Sequence, residues 1–260
     1  MSTTVSSPLD PNATGAVVWD RLWQSEPTIA KDDALLEREE NHPRWLWIHH
    51  RLMQTFGSLE GLRTVELGSG RGDFSVLLAR QGAKVTLLDA SEHALRQAQH
   101  RFERLGLSAS FEQGNLFDQP TTERGAFDVA LSSGVIEHFV EDQRTWAIRA
   151  HVDAVRIGGV VILSVPHAHG LPYRLWKFYL ERRRWWPYGL EVPYSRRELI
   201  QRAIEAGLDE LETVVVGFWQ SVGDHGLRTM FGRAPDWSTH KSWLDRWMGS
   251  TVVLMGRRNR

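Results

Sequence analysis

The stretch Val65-Glu66-Leu67-Gly68-Ser69-Gly70-Arg71-Gly72 decides the fold of this 260-residue chain. The residues from Leu62 to Leu67 carry the apolar side chains of a short buried strand, and Arg71 to Gln81 has the apolar spacing of a helix. Three glycines at a spacing of two allow a tight turn and let the backbone approach a ligand without an intervening Cβ. The stretch therefore predicts a strand–loop–helix unit with a ligand at its loop.

A second strand is predicted from Lys84 to Leu88, with Asp89 at its carboxyl end. An acid there can accept hydrogen bonds from the two ribose hydroxyls of an adenosine. The loop is not the dinucleotide fingerprint Gly-x-Gly-x-x-Gly, because its third glycine comes one position early and Asp73 stands where glycine is needed. Glu66 would be badly placed beside a pyrophosphate, but it suits a cationic ligand. The pattern indicates a nucleoside cofactor.

Glu66, the Gly-x-Gly-x-Gly loop and Asp89 together resemble the class I S-adenosylmethionine-dependent methyltransferases. The resemblance implies that Glu66 serves the methionine end of S-adenosyl-L-methionine and that Asp89 binds its ribose. Gly114 to Asp118 resembles the family's third motif, which would bring the Asn115 side chain and the Leu116 N–H to the adenine edge, although the family often has Asp at that position. The predicted cofactor-binding residues are Glu66, Gly68, Ser69, Gly70, Asp89, Ala90, Asn115, Leu116 and Ser132.

The resemblance covers residues 61 to 166, because Phe127–His138 resembles the fourth strand with its loop and Gly158–Pro166 the fifth strand. It implies an α/β fold with a seven-stranded, mostly parallel, doubly wound sheet and helical caps, completed by residues 195–217 and 251–257. We expect a disordered N-terminus at 1–16 and one methyltransferase domain at 17–260. That domain would comprise an N-terminal helical cap (17–60), the cofactor-binding core (61–166), an aromatic and basic lid insertion (167–194) and a second insertion (218–250).

Composition narrows the possible functions. The 31 Lys and Arg residues nearly balance 32 Asp and Glu residues, so no overall field favours a nucleic acid. The chain has no cysteine, which excludes disulfides, thiolate metal sites and cysteine nucleophiles. The first residues lack the pattern of a signal peptide, and no apolar run is long enough to span a bilayer. We therefore expect a cytoplasmic protein with a small-molecule acceptor and no nucleic-acid partner, and the oligomeric state stays open.

Aromatic residues concentrate outside the cofactor core. Of the 12 tryptophans, only Trp146 lies within 61–166, and all four tyrosines fall between Tyr173 and Tyr194. Most of these rings are expected to pack the appended segments onto the sheet, while Trp19 or Trp23 could shield the sulfonium of the cofactor through a cation–π contact.

The segment 167–194 contains a predicted amphipathic helix from Arg174 to Glu181, followed by a basic and aromatic run. Leu175, Trp176, Tyr179 and Leu180 would share one face of that helix, and Arg174, Lys177 and Glu181 the other. Three interpretations stay open. The helix could dock its apolar face on the sheet, close over an acidic acceptor as a lid, or lie on an anionic membrane surface.

Methyl transfer from a sulfonium is an in-line displacement with a neutral leaving group, so the enzyme must align the acceptor and, for a hydroxyl, help to remove its proton. The candidate bases are His138, after the fourth strand, and His167, after the fifth. No metal is predicted. Quinone-precursor O-methyltransferases of the ubiquinone pathway carry Glu-x-x-Glu-His, and here Gly134 replaces the first carboxylate. The Asp/Asn-Pro-Pro-Tyr motif of nucleic-acid amino-methyltransferases is also absent.

The sequence therefore predicts a metal-independent methyltransferase acting on oxygen or nitrogen of a small or medium organic acceptor, with carbon and sulfur left open. Two alternatives remain. One is a peripheral membrane methyltransferase with a lipid or quinone-type substrate, and the other is a non-catalytic cofactor-binding protein.

Overall fold

The computed structural model describes residues 16–117 and 124–259, so most of the expected disordered N-terminus (1–16) lies outside it. Within these ranges the strands alternate with helices in the first part of the chain, as the sequence predicted. The strands are β1 (Arg63–Leu67), β2 (Lys84–Asp89), β3 (Ala109–Gln113), β4 (Phe127–Ser133), β5 (Val155–Pro166), β6 (Leu208–Val216) and β7 (Thr251–Arg258).

The helices fall into a cap before the sheet, the connections between strands, and short segments before the last strand. They are α1 (Ala16–Leu22), α2 (Ile29–Glu40), α3 (Pro43–Phe56), α4 (Asp73–Ala79), α5 (Glu92–Leu105), α6 (Gln143–Ala154), α7 (Leu171–Arg182), α8 (Arg196–Glu205), α9 (Phe218–Ser221), α10 (Arg228–Phe231) and α11 (Asp245–Met248). A 3₁₀ turn covers Ile136–His138, and a π-helical stretch covers Val222–Leu227.

The seven strands form one sheet in the order β3-β2-β1-β4-β5-β7-β6. Neighbours from β3 to β5 run parallel, whereas β7 runs antiparallel to both β5 and β6. The seven-stranded, mostly parallel sheet is therefore confirmed. Because parallel strands share a direction, the carboxyl ends of β1, β2 and β4 meet at one edge, where open α/β sheets bind ligands.

Alternate residues of the central strands face two apolar cores, one on each side of the sheet. On one side Leu67 and Val161 pack with Ile148 of α6. On the other side Leu87 and Ile162 pack in a cluster that includes residues of α3, α4 and α5. Burial of both faces explains why these strands read as nearly continuous apolar runs.

The orientation of α7 differs from the docking interpretation. Tyr173 and Lys177 face inward, and Leu175 and Phe178 are 60% and 56% exposed. The Lys177 ammonium lies 4.2 Å from the centre of the Trp186 ring, so this buried lysine makes a cation–π contact with the ring. The helix therefore turns apolar side chains to solvent instead of onto the sheet.

The ends of the 167–194 segment belong to the core. His167 and Tyr194 pair through a parallel β-bridge, and Tyr194 is fully buried. Only the part between these residues can act as a cover, because removing the ends would open the core. None of the helices in the described ranges has the length and hydropathy needed to cross a membrane.

Candidate active site

The glycine loop is tied to the end of β2 by backbone hydrogen bonds. The N–H groups of Gly68 and Ser69 donate to the Leu88 carbonyl at 2.8 and 3.1 Å. The Gly70 N–H donates to Asp89 Oδ2 at 2.7 Å, and the Ser91 N–H to Asp89 Oδ1 at 2.8 Å. Burial raises the pKa of Asp89, and these two donors oppose the shift. The acid therefore fixes the loop and keeps lone pairs free for a ligand, since a carboxylate offers about four acceptor sites.

Two of the loop glycines are required by their surroundings as well as by their backbone angles. Gly68 and Gly70 have φ of 68° and 53°, in the left-handed region that disfavours other residues. A Cβ at Gly68 would lie 2.6 Å from Val135 Cγ2, and one at Gly70 would lie 2.8 Å from Trp23 Cζ2. The loop thus forms a cradle that a larger side chain would fill.

Glu66 is buried at the end of β1 and accepts hydrogen bonds from Ser75 in the first turn of α4. Its Oε2 lies 2.9 Å from the Ser75 backbone nitrogen and 2.6 Å from Ser75 Oγ. Burial raises the pKa of Glu66 to about 8, although the Ser75 bonds oppose this. A cationic ligand nearby would favour the ionised form.

These groups line a cleft of about 620 Å³ at the carboxyl edge of the sheet, within the range typical of small-molecule sites. Trp19 and Trp23 both lie on its wall. Of the sequence-predicted site residues, those that line the cleft are Glu66, Gly68, Ser69, Gly70, Asp89, Ala90, Asn115, Leu116 and His138. Their individual roles in binding stay predictions.

The structure places Ser132 and His167 elsewhere. Ser132 is buried, and it is Ser133 that lines the cleft, because successive side chains of a strand point to opposite faces. The His167 backbone N–H donates to the Ser250 carbonyl at 2.7 Å, and its Nδ1 lies 3.0 Å from the Gly249 carbonyl oxygen. His167 thus joins the end of β5 to the start of β7 and lines neither cavity described here.

His138 is held in one orientation. Its Nδ1 lies 2.6 Å from the Leu190 carbonyl oxygen, which can only accept, so Nδ1 carries the hydrogen and Nε2 carries the lone pair of the neutral ring. The edge of Trp19 packs against the imidazole at 4.8 Å between ring centres. Burial lowers the pKa of His138 to about 4, so the ring is neutral at physiological pH and the lone pair lies on Nε2.

Sequence reasoning missed Arg44. His42 caps α3, because its Nδ1 accepts the Arg44 backbone N–H at 3.1 Å, and this cap sets Arg44 in the first turn. The guanidinium pairs with Glu39 and reaches Ser133 Oγ at 3.2 Å. Arg44 lies about twenty residues before the glycine loop, outside the recognised motifs, so only the packing of α3 against the sheet reveals it.

A second, smaller cavity of about 190 Å³ adjoins the cleft, and we call it the inner chamber. Arg44, Ser133 and Gly134 line both spaces. The walls of the inner chamber combine polar and apolar groups and come from α3, the ends of β4 and β5, the loop after β4, α7, α9, the π-helical stretch and the start of β7. The residues that line it away from the cleft include His42, Glu137, Ser164, Tyr173, Gln220 and His225. In the ranges that the model describes, no group of three or more His, Cys, Asp or Glu residues is arranged to hold a metal ion.

Comparison with known proteins agrees with this geometry. Residues 65–159 match the family model described as a methyltransferase domain. Residues 65–159 thus match a methyltransferase domain, and the sheet that contains them has the fold of the class I S-adenosylmethionine-dependent methyltransferases. The resemblance drawn from Glu66, the glycine loop and Asp89 is thus confirmed at the level of the class.

The sequence relatives include ubiquinone biosynthesis O-methyltransferases. That of Ralstonia nicotianae is 34% identical over 137 residues, which are 53% of this chain and 55% of the relative. That of Alkalilimnicola ehrlichii is 32% identical over 111 residues, covering 43% of this chain and 44% of the relative. The chain thus spans about half the length of the curated relatives it matches.

Solved structures share the fold over almost the whole chain. Magnesium protoporphyrin IX methyltransferase from Synechocystis with bound S-adenosylhomocysteine has a TM-score of 0.59 at 18% identity, covering 93% of both chains. A possible histamine N-methyltransferase from Thermotoga maritima has a TM-score of 0.58 at 18% identity, covering 94% of this chain and 99% of the other. At this identity the likeness establishes the fold and not the acceptor.

Proposed function

We propose that this chain is an S-adenosylmethionine-dependent methyltransferase acting on oxygen or nitrogen of a small or medium organic acceptor. The observation that carries the proposal is the glycine loop closed onto Asp89, beside the buried acid Glu66, in a cleft large enough for the cofactor. The cysteine-free composition fits a reducing compartment, and we propose the cytoplasm as its location.

Each end of the cofactor has a matching group in the cleft. Asp89 would accept hydrogen bonds from the ribose, and Asn115 and Leu116 would meet the adenine. Glu66 would offset the ammonium of the methionine end. Arg44, whose charge is balanced by Glu39, would donate hydrogen bonds to the carboxylate of the methionine end. The two tryptophans on the wall, Trp19 and Trp23, can face the sulfonium.

The cofactor brings an activated methyl group, so the protein has to position the acceptor and receive its proton. We assign the second task to His138, because the Leu190 carbonyl fixes Nδ1–H, which leaves Nε2 unprotonated, and the residue lines the cleft. His167 is not part of this proposal, since its ring serves the β5–β7 junction.

Calorimetry with S-adenosylhomocysteine and with NAD tests the cofactor assignment. We expect binding of S-adenosylhomocysteine and none of NAD, and tighter binding of NAD would contradict the assignment. Transfer of a labelled methyl group from S-adenosylmethionine to any of a panel of phenols and amines would then separate an enzyme from a non-catalytic binding protein. His138→Ala should reduce that transfer while leaving S-adenosylhomocysteine affinity unchanged.

A second candidate is methyl transfer at an anionic membrane surface, and the exposed side of α7 favours it. Leu171, Leu175 and Phe178 are each more than half exposed, and Trp185 follows them. They adjoin the basic run formed by Arg182, Arg183 and Arg184. Apolar side chains flanked by arginines match the boundary between acyl chains and anionic headgroups.

Co-sedimentation with vesicles of phosphatidylcholine and phosphatidylglycerol tests this candidate. The double substitution Leu175→Glu and Phe178→Glu should abolish binding with little change in folding stability, because both side chains are exposed. Ile204→Glu, an exposed apolar position on α8, is the matched control and should bind like the unaltered chain. Absence of binding by the unaltered chain would eliminate the candidate.

A further inference from the structure

The inner chamber contains a buried acid for which the cofactor has no use. Glu137 lies in the 3₁₀ turn after β4 and is 2% exposed. Its Oε2 is buried and has no hydrogen-bond partner within the described parts of the chain. Buried polar atoms are rarely left unpaired, so an unpaired oxygen on a cavity wall indicates a ligand.

The other titratable side chains on that wall already have partners. His42 Nε2 lies 2.7 Å from Gln220 Oε1, and His225 Nδ1 lies 2.9 Å from Ser221 Oγ. The Tyr173 hydroxyl donates to Glu191. Glu137 is therefore the acid on this wall whose Oε2 has no hydrogen-bond partner in the described parts of the chain.

The walls of the inner chamber carry little free charge. Arg44 is neutralised by its two hydrogen bonds to Glu39. Burial, and then the neighbouring Glu191, raises the pKa of Glu137 well above its usual range, although Arg144 opposes this. Burial lowers the pKa of His42 to about 3 and that of His225 to about 4, so both rings are neutral. A charged guest would therefore find no free counter-charge on these walls.

We propose that the inner chamber binds the head of the methyl acceptor, an uncharged hydroxyl-bearing group, and that Glu137 holds this hydroxyl as a neutral carboxylic acid. The proposal rests on the proposed function, because the inner chamber adjoins the cofactor cleft and shares the lining residues Arg44, Ser133 and Gly134 with it. Its volume of about 190 Å³ far exceeds the ~10–15 Å³ that one water needs, so it can admit an organic group. His138, the proposed proton acceptor, lines the adjoining cleft, and its Nε2 lies 3.9 Å from Glu137 Oε1.

The experiment uses the full chain saturated with S-adenosylhomocysteine. Binding of four probe molecules that share one benzene ring is then measured by ligand-observed NMR. The probes are phenol and benzyl alcohol, which are neutral, benzoate and benzylammonium. We expect the neutral probes to bind about tenfold or more tighter than the charged ones. Glu137→Leu should weaken the neutral probes at least about tenfold, whereas Glu137→Gln, which keeps a neutral donor and acceptor, should stay within about threefold. Glu205→Gln, an exposed position on α8, is the control.

If Glu137→Leu fails to fold, an infrared difference spectrum can measure the protonation state of Glu137 instead. Subtracting the spectrum of Glu137→Gln from that of the unaltered chain at neutral pH should leave the carbonyl band of a protonated carboxylic acid, and a carboxylate band would overturn the proposal. Tighter binding of benzoate or benzylammonium, loss of binding in Glu137→Gln equal to that in Glu137→Leu, or no probe binding would also overturn it. Failure of S-adenosylhomocysteine to bind would instead overturn the proposed function, and this inference with it.

Discussion

Asp89 is expected both to hold the glycine loop and to bind the ribose, and its substitution should affect both. Asp89→Ala removes the acceptor of the Gly70 and Ser91 N–H groups and the predicted acceptor of the ribose hydroxyls. We expect S-adenosylhomocysteine affinity to fall by roughly 1–3 kcal/mol, the usual cost of losing hydrogen bonds to a charged group. Calorimetry measures this loss.

Asp89→Asn is the matched control, because it keeps one acceptor oxygen and should lose less affinity than Asp89→Ala. Equal and undiminished binding by both variants would show that the ribose lies elsewhere.

Glu66 should make both stability and cofactor binding depend on pH. Its pKa is about 8 in the folded chain against an ordinary value of 4.5, so between these values the folded state holds a proton that the unfolded state has lost. Stability therefore decreases as pH rises through this window, by roughly 2 kcal/mol between pH 6 and pH 8. Urea unfolding at the two pH values should show that decrease, and Glu66→Gln should remove it.

Cofactor binding should displace the same proton, because the ammonium of the ligand favours the ionised acid. Calorimetry at pH 7 in buffers of different ionisation enthalpy should detect proton release on binding of S-adenosylhomocysteine, and none with Glu66→Gln. Equal proton release by the two proteins would assign the titration to another group.

The glycine loop packs against the N-terminal cap, because Trp23 of the cap lies beside Gly70. Gly70→Ala would place a Cβ against Trp23 and force an alanine to a φ of 53°. The backbone term alone costs about 1–2 kcal/mol. We expect S-adenosylhomocysteine affinity to fall at least about tenfold, since the loop must shift to accommodate the methyl group.

Two further variants separate backbone strain from crowding. Gly57→Ala, at the end of α3, has a φ of 74° and open space around its Cβ, so it should lower stability without changing cofactor affinity. Trp23→Ala combined with Gly70→Ala should recover part of the lost affinity if crowding contributes. Full affinity in Gly70→Ala alone would refute the cradle.

The sequence predicted β1, β2 and their loop because the constraints there are local: a turn without Cβ atoms, a run of buried apolar residues, and an acid at a strand end. It left the orientation of α7 open, and that orientation depends on Lys177, which is buried against the ring of Trp186, nine residues further along the chain. Helical periodicity describes which residues share a face, and it does not say which face meets the protein. Arg44 and Glu137 were missed for the same reason, since each acquires its role from distant parts of the chain.

A buried ionic cluster joins the N-terminal cap to the cofactor core. Asp32 of α2 accepts hydrogen bonds from Arg71 in the glycine loop at 3.0 Å, from Arg101 Nε at 2.9 Å and from Arg104 at 2.9 Å. Arg101 also pairs with Asp73 at the start of α4. The single carboxylate of Asp32 thus fixes α2, α5 and the loop relative to one another.

Asp32→Asn should therefore destabilise the fold and loosen the site together. Arg101 is 2% exposed, and loss of its charged partner leaves a buried cation under-compensated, which typically costs about 3–5 kcal/mol. Urea unfolding measures that cost, and calorimetry should show weaker binding of S-adenosylhomocysteine through the freed Arg71. Asp33→Asn, at the exposed neighbouring acid that pairs only with Arg104 in the described structure, is the control and should change either quantity little.

The pH dependence of folding stability gives an independent test of the ion pairs between Asp32 and the three arginines. Burial by itself would raise the pKa of Asp32, but its hydrogen bond to Arg101 and the charges of the three arginines hold it below the ordinary value of 3.8. The stability contributed by the cluster should therefore be complete above that value and be lost as pH falls through the lower pKa of the folded state. The stability difference between the unaltered chain and Asp32→Asn should narrow only under strongly acidic conditions. A difference that already disappears near pH 5 would show that the carboxylate is not held by the arginines, and the cap would then be joined to the core by apolar packing alone.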